Sequence, residues 1–106
     1  MGNLVNLTPH DIKVKTQDGF VTIPKSGQVA RVDVTRSSIV SLNGIDIFRP
    51  NFGNVIGLPP VQDGTAYIVS AMVRGAVPDR IDVFSPGSLI RDDAGNVIAC
   101  DGLDCN

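Results

Sequence analysis

The chain of 106 residues has the length of one ordinary domain, and 42% of its residues are apolar, which favours a folded protein over a disordered one. Its net charge of −2 disfavours general DNA or RNA binding, because such proteins need a basic face. No stretch approaches the roughly 20 apolar residues of a membrane-spanning helix, so we expect no membrane partner. Because the first residues lack the basic and apolar segments of a signal peptide, we also expect a cytoplasmic protein.

The first half of the chain has the pattern of short strands separated by turns. Asp11–Lys15 alternates between apolar and polar residues, which is typical of a half-buried strand. Asp18-Gly19 and Asn43-Gly44 are both strong hairpin turns, and apolar runs flank the second on each side. These signals predict two hairpins before residue 49.

The second half contains the predicted loop and helix. Arg49–Thr65 carries three prolines, three glycines and two asparagines, and we predict a long loop there, with Asn54–Ile56 as a candidate short strand. Ala66–Ser70 is nearly continuous in apolar residues, as expected of a strand covered on both faces. Apolar residues then recur at helical spacing, which predicts one short helix near residues 70–77, N-capped by Ser70 and stopped by Pro78.

The chain after the helix returns to strands. One strand is expected in the segment RIDVFSPG, and a last hairpin turns at residues 94–96. Residues 1–106 are therefore predicted to form a single compact domain of mainly β class, at the margin of α+β. Its architecture is expected to be a small bent antiparallel sheet, or an open barrel of short strands, with the one helix against it.

Few residues are suited to catalysis. His10 is the only histidine, and the chain contains no glutamate, so general acid–base and nucleophilic chemistry lack partners. Cys100 and Cys105 lie near the end of the chain, and one histidine is too little to complete a metal site with them. We predict a non-enzymatic protein with no cofactor and no metal, in which both cysteines are reduced thiols.

A weaker pattern indicates an anion pocket. The predicted helix N-terminus presents free backbone N–H groups, arginines lie on either side of it, and one phenylalanine could stack on a base. Pro9 is expected to end the first strand and direct its neighbours towards the same place. The candidate ligand-binding residues are Thr8, His10, Arg49, Phe52, Ser70, Arg74 and Arg80. The alternative is that each arginine is a solvated surface group and that Phe52 fills the core under the loop.

Five segments occur in a fixed order along the chain: NLTPHDI, IPKSGQVARV, GLPPVQDGTAYIVSAMV, VPDRIDVFSPG and RDDAGNVIACDGL. This ordered set is more specific than any one of its segments. It resembles a family of small proteins that are encoded by phages, prophages and some bacteria and that begin with an NLTPH-type segment. The resemblance covers nearly the whole chain and implies a genomic context, but no activity and no binding residue.

A phage context leaves three functions open. The first is counter-defence in the host cell cytoplasm, in which a homo-oligomer sequesters a small nucleotide immune signal. The second is a minor virion or assembly protein that docks by its strand edges. The third is direct inhibition of a host defence protein, although a net charge of −2 is small for a mimic of nucleic acid.

Overall fold

The computed structural model describes residues 2–106, which form ten strands and one short helix. The predicted mainly β class is confirmed, and the sheets stay open without closing into a barrel. The elements are β1 (Asn3–Asn6), β2 (Ile12–Thr16), β3 (Gly19–Ile23), β4 (Arg31–Leu42), β5 (Ile45–Ile56), β6 (Thr65–Ile68), α1 (Ala71–Ala76), β7 (Val83–Pro86), β8 (Leu89–Arg91), β9 (Val97–Cys100) and β10 (Leu103–Cys105).

The strands form three sheets instead of one antiparallel sheet. The first has the order β1-β6-β7-β10, the second has the order β3-β2-β9-β8, and the third contains β4 and β5. Three pairs are parallel, namely β1 with β6, β6 with β7, and β2 with β9. The prediction of an antiparallel sheet was wrong in this respect, because parallel pairing joins strands that are distant in the sequence and leaves no local turn signal.

The predicted hairpin turns are confirmed. β2 pairs with β3 across a turn at residues 17–18, where Gly19 pairs with Thr16, and β8 pairs with β9 around the turn at residues 92–96. Between β4 and β5, Asn43 and Gly44 have φ angles of 53° and 79°. Two consecutive positive φ angles define the type I′ turn that Asn-Gly favours, because its twist matches that of the strands.

β4 and β5 together form a long hairpin, which we call the arm (residues 31–56). Two strands of 12 residues span about 40 Å at the usual rise of a strand. The radius of gyration is 16.7 Å, against about 13 Å for a compact chain of this length. Because most arm residues beyond Val32 are exposed, the arm projects from the body of the protein (residues 2–30 and 57–106).

The predicted loop at residues 49–65 was therefore wrong for residues 49–53, whereas the candidate strand at Asn54–Ile56 is confirmed as the end of β5. Residues 49–56 belong to β5, although they include Pro50 and Gly53. A proline is tolerated in a two-stranded sheet where its nitrogen faces the free edge, and Pro50 pairs with Arg36 in an unbroken register there. Gly53 lies at a bulge, where a β carbon would come within 3.2 Å of the Asp33 carbonyl oxygen.

The body is held together by two apolar clusters on either side of β6. Tyr67 and Val69 belong to one cluster, which also contains Val32 from the base of the arm and Val73 from α1. Ile68 packs in the opposite direction, against the second sheet. The prediction that this strand is covered on both faces is confirmed.

The helix forms where it was predicted. The Ser70 hydroxyl accepts a hydrogen bond from the Val73 N–H at 3.3 Å, which is the expected N-cap contact. The helix is only six residues long and buries Val73 as its core contact. In the part of the chain that the structure describes, no helix has the length and apolar character needed to cross a membrane.

Candidate functional site

The NLTPH segment forms a turn organised around one buried side chain, that of Asn6. Its amide nitrogen donates hydrogen bonds to the carbonyl oxygens of His10 and Ile23 at 2.9 and 3.0 Å. Its amide oxygen accepts from the backbone N–H and the hydroxyl of Thr8 at 2.9 and 2.7 Å. Asn6 is 1% exposed, so these four bonds replace all of its contacts with water. Asn6 therefore fixes the shape of the turn.

This turn forms one wall of an open cleft with a volume of about 560 Å³. Thr8 and His10 line the cleft from the turn, and Ser70 lines it from the N-cap of α1. The structure thus places these three predicted residues around one space, where Thr8 is buried and His10 is exposed. The rest of the lining is mostly apolar and includes Ile12, Leu89, Val97 and Ile98.

Arg74 and Arg80 lie outside the cleft, and both are bound to other residues of the chain. Arg74 donates to the buried hydroxyl of Ser85 at 2.7 Å and to the C-terminal residues. Arg80 forms an ion pair with Asp82 at 2.8 Å and donates to the Pro59 carbonyl oxygen at 3.0 Å. The hydrogen bond between the two charged groups raises the pKa of Arg80 and lowers the pKa of Asp82. Both arginines therefore stabilise the body, and neither lines the cleft.

Arg49 and Phe52 are both in β5, on the arm. They are three residues apart in a regular stretch of strand, so they project from opposite faces. Phe52 lies beside α1, where it lines a cavity of about 330 Å³ with Met72, Gly75 and Ala76. The seven candidate residues thus fall into separate groups, and no described arginine lines the cleft.

The arm carries a surface that the sequence reading missed. Alternate cross-strand pairs project from the same face of a sheet, so the pairs Leu42–Ile45 and Val40–Ile47 share one face of the arm near its tip. We call these four residues the distal patch. Leu42 and Ile45 are 56% and 65% exposed. On the other face the Arg36 guanidinium lies 4.0 Å from the centre of the Phe48 ring, which covers that ring in part.

The edges of the arm are interrupted on both strands. Pro50 has no N–H to offer on the outer edge of β5. On β4, Ile39 is an extra residue between Ser38, which pairs with Phe48, and Val40, which pairs with Ile47. A proline and a bulge are features that oppose pairing with another strand. The exposed side chains of the arm are therefore better suited to binding than its backbone edges.

Comparison with known proteins gives no relative. No family model, no curated protein and no solved structure matches the chain. Among residues 2–106, no group of three or more histidine, cysteine, aspartate or glutamate side chains is placed to hold a metal ion. Cys100 is buried and Cys105 is exposed, and both are free thiols.

Proposed function

We propose that the protein is a non-enzymatic assembly protein whose subunits associate through the arm. The observation that carries the proposal is the distal patch, four aliphatic residues gathered on one face of a projecting hairpin. An isolated two-stranded hairpin is only marginally stable in water, and contiguous exposed apolar surface marks sites of interaction. Covering the patch with a partner would stabilise both the arm and the complex.

The resemblance to phage-encoded proteins supports a role in building a particle. The arm is a protruding element that can contact a neighbouring subunit, and its strands are about 40 Å long, with their base packed in the body. The interruptions on both edges argue against the strand addition considered for this class of function. Association is therefore expected to bury side chains of the distal patch.

Sedimentation velocity of the full chain tests this proposal. One subunit has a mass of 11.2 kDa. We expect the measured mass to exceed this value and to rise over roughly two orders of magnitude in protein concentration, because association is driven by mass action. A mass that stays at that of one subunit at every concentration contradicts the proposal.

Sequestration of a small nucleotide signal is a second candidate, favoured by the cleft that Thr8, His10 and Ser70 line together. The described cleft lining offers Lys13 but no arginine, and its walls are mostly apolar, which counts against it because nucleotide phosphates need cationic partners. A thermal-shift screen with cyclic nucleotides and ADP-ribose derivatives distinguishes the two candidates. A ligand at 100 times its Kd raises the free energy of unfolding of the protein by about 2.7 kcal/mol, which raises the Tm by several degrees. A Tm shift with one nucleotide class and none with AMP supports sequestration. If no nucleotide shifts the Tm, sequestration is ruled out.

A further inference from the structure

We propose that the distal patch of one copy docks in the cleft of a second copy. This inference rests on the proposed function and names the partner and the surface that meets the arm. The two surfaces are both apolar and both open. The cleft walls include Leu89, Val97 and Ile98, which are 55%, 49% and 42% exposed. These side chains and those of the distal patch can cover one another.

The charges of the two parts of the chain are complementary. The arm carries three arginines and two aspartates, for a net charge of +1, while the rest of the chain carries six cations and nine anions, for a net charge of −3. A positive arm therefore meets a negative body in a contact between arm and body, whereas a contact between two arms brings like charges together.

Charged residues also lie beside each of the two apolar surfaces. Arg49 follows Ile47 by two residues on β5, so it lies on the same face as the distal patch. Asp11 and Lys13 both line the cleft, and both are exposed. An apolar patch bordered by a cation would thus meet an apolar cleft that carries a carboxylate and an ammonium group, and the carboxylate is the partner available to Arg49. We assign Arg49 to the neighbourhood of Asp11 of the second copy.

Such a contact joins two different surfaces, so each subunit has one of each to offer. Repeating this contact gives a two-fold dimer with two reciprocal contacts, or a closed ring. Where the rotation between successive subunits does not close a ring, it gives a filament. All of these forms share one property: a copy with a damaged patch still has an intact cleft, and a copy with a damaged cleft still has an intact patch. Mixing the two damaged copies restores one contact.

The experiment compares two double variants by sedimentation velocity. Leu42→Ser with Ile45→Ser damages the patch, and Leu89→Ser with Val97→Ser damages the cleft. All four residues are about half exposed or more, so the fold is expected to survive, and the Tm of each variant checks this. Val61→Ser with Ile81→Ser is the control, because these residues are 64% and 86% exposed and lie outside both surfaces.

We expect each damaged variant to self-associate at least about 30-fold more weakly than the wild-type protein, which corresponds to the loss of an interface hot spot. We expect the control to associate normally and an equimolar mixture of the two damaged variants to form a complex. If the cleft variant associates like the wild type while the patch variant does not, the patch binds a surface other than the cleft and this inference is overturned, but the proposed function stands. Failure of the mixture to associate also overturns it. A monomeric wild-type protein contradicts both.

Discussion

Replacing Asn6 by aspartate is expected to destabilise the fold by about 3–5 kcal/mol, a large part of the 5–15 kcal/mol by which a domain of this size is stable. The amide nitrogen of Asn6 donates hydrogen bonds to two backbone carbonyl oxygens. Aspartate would replace this donor by a negatively charged oxygen, which both carbonyl oxygens repel. The site is 1% exposed, so water cannot compensate for the charge. Urea unfolding at neutral pH measures the loss.

Two controls make this prediction specific. Asn3→Asp makes the same change on the same strand at an exposed position, and we expect it to change the free energy of unfolding by less than about 0.5 kcal/mol. Burial without a cationic partner raises the pKa of the carboxyl group that Asn6→Asp introduces. The deficit of that variant should therefore shrink as the pH falls through about 4 towards 3, because the carboxyl group is then mostly protonated in the unfolded state as well as in the folded state. Equal stability of Asn6→Asp and wild type at pH 7 would show that the turn does not depend on this amide.

Gly57→Ala is the second substitution with a large expected effect, about 2–4 kcal/mol of destabilisation. Gly57 follows the last residue of the arm and has a φ angle of 85°. A β carbon there would lie 2.6 Å from the carbonyl oxygen of Val29, on the segment that leads into β4. The substitution thus adds a backbone clash to the cost of a left-handed conformation, at the point where both ends of the arm join the body.

Gly27→Ala separates the cost of the left-handed conformation from the cost of the backbone clash. Gly27 has a φ angle of 94°, and nothing lies within 4 Å of the position its β carbon would take. We expect Gly27→Ala to cost only the conformational part, about 1–2 kcal/mol. Thermal and urea unfolding of both variants measure the difference. If the two substitutions cost the same, the close approach of residue 57 to Val29 carries no energy.

The parts of the fold that local chemistry dictates could be predicted from the sequence. The Asn43-Gly44 turn, the strand β6 and the helix capped by Ser70 all follow from short-range rules. The parallel pairs could not be predicted, because strands that are distant in the sequence meet only in the folded body. The part of β5 at residues 49–53 was missed because Pro50 is a turn signal except where its nitrogen faces a free edge.

The candidate site could be predicted less well. The turn at Pro9 does bring Thr8 and His10 into one cleft with Ser70. The partners of the two arginines could not be foreseen, because Ser85 and Asp82 compete for them only in the folded chain. Asn6 was missed, although an asparagine side chain that bonds the backbone two residues on is a known turn signal.

The distal patch was missed for a different reason. Its four residues were predicted as ordinary hairpin strands, and their exposure depends on how far the arm extends beyond the body. That length depends on residues 49–56 being strand instead of loop. An error in one segment therefore hid the surface on which the proposed assembly depends.

Hydrogen–deuterium exchange of the full chain, below and above the concentration at which it associates, tests the central claim most directly. We expect backbone amides of residues 39–47 to exchange more slowly at the higher concentration, because the distal patch becomes covered. Residues 58–64, outside the arm, should exchange equally at both concentrations. Unchanged exchange at residues 39–47, with protection elsewhere as the mass rises, would show that subunits meet through another surface.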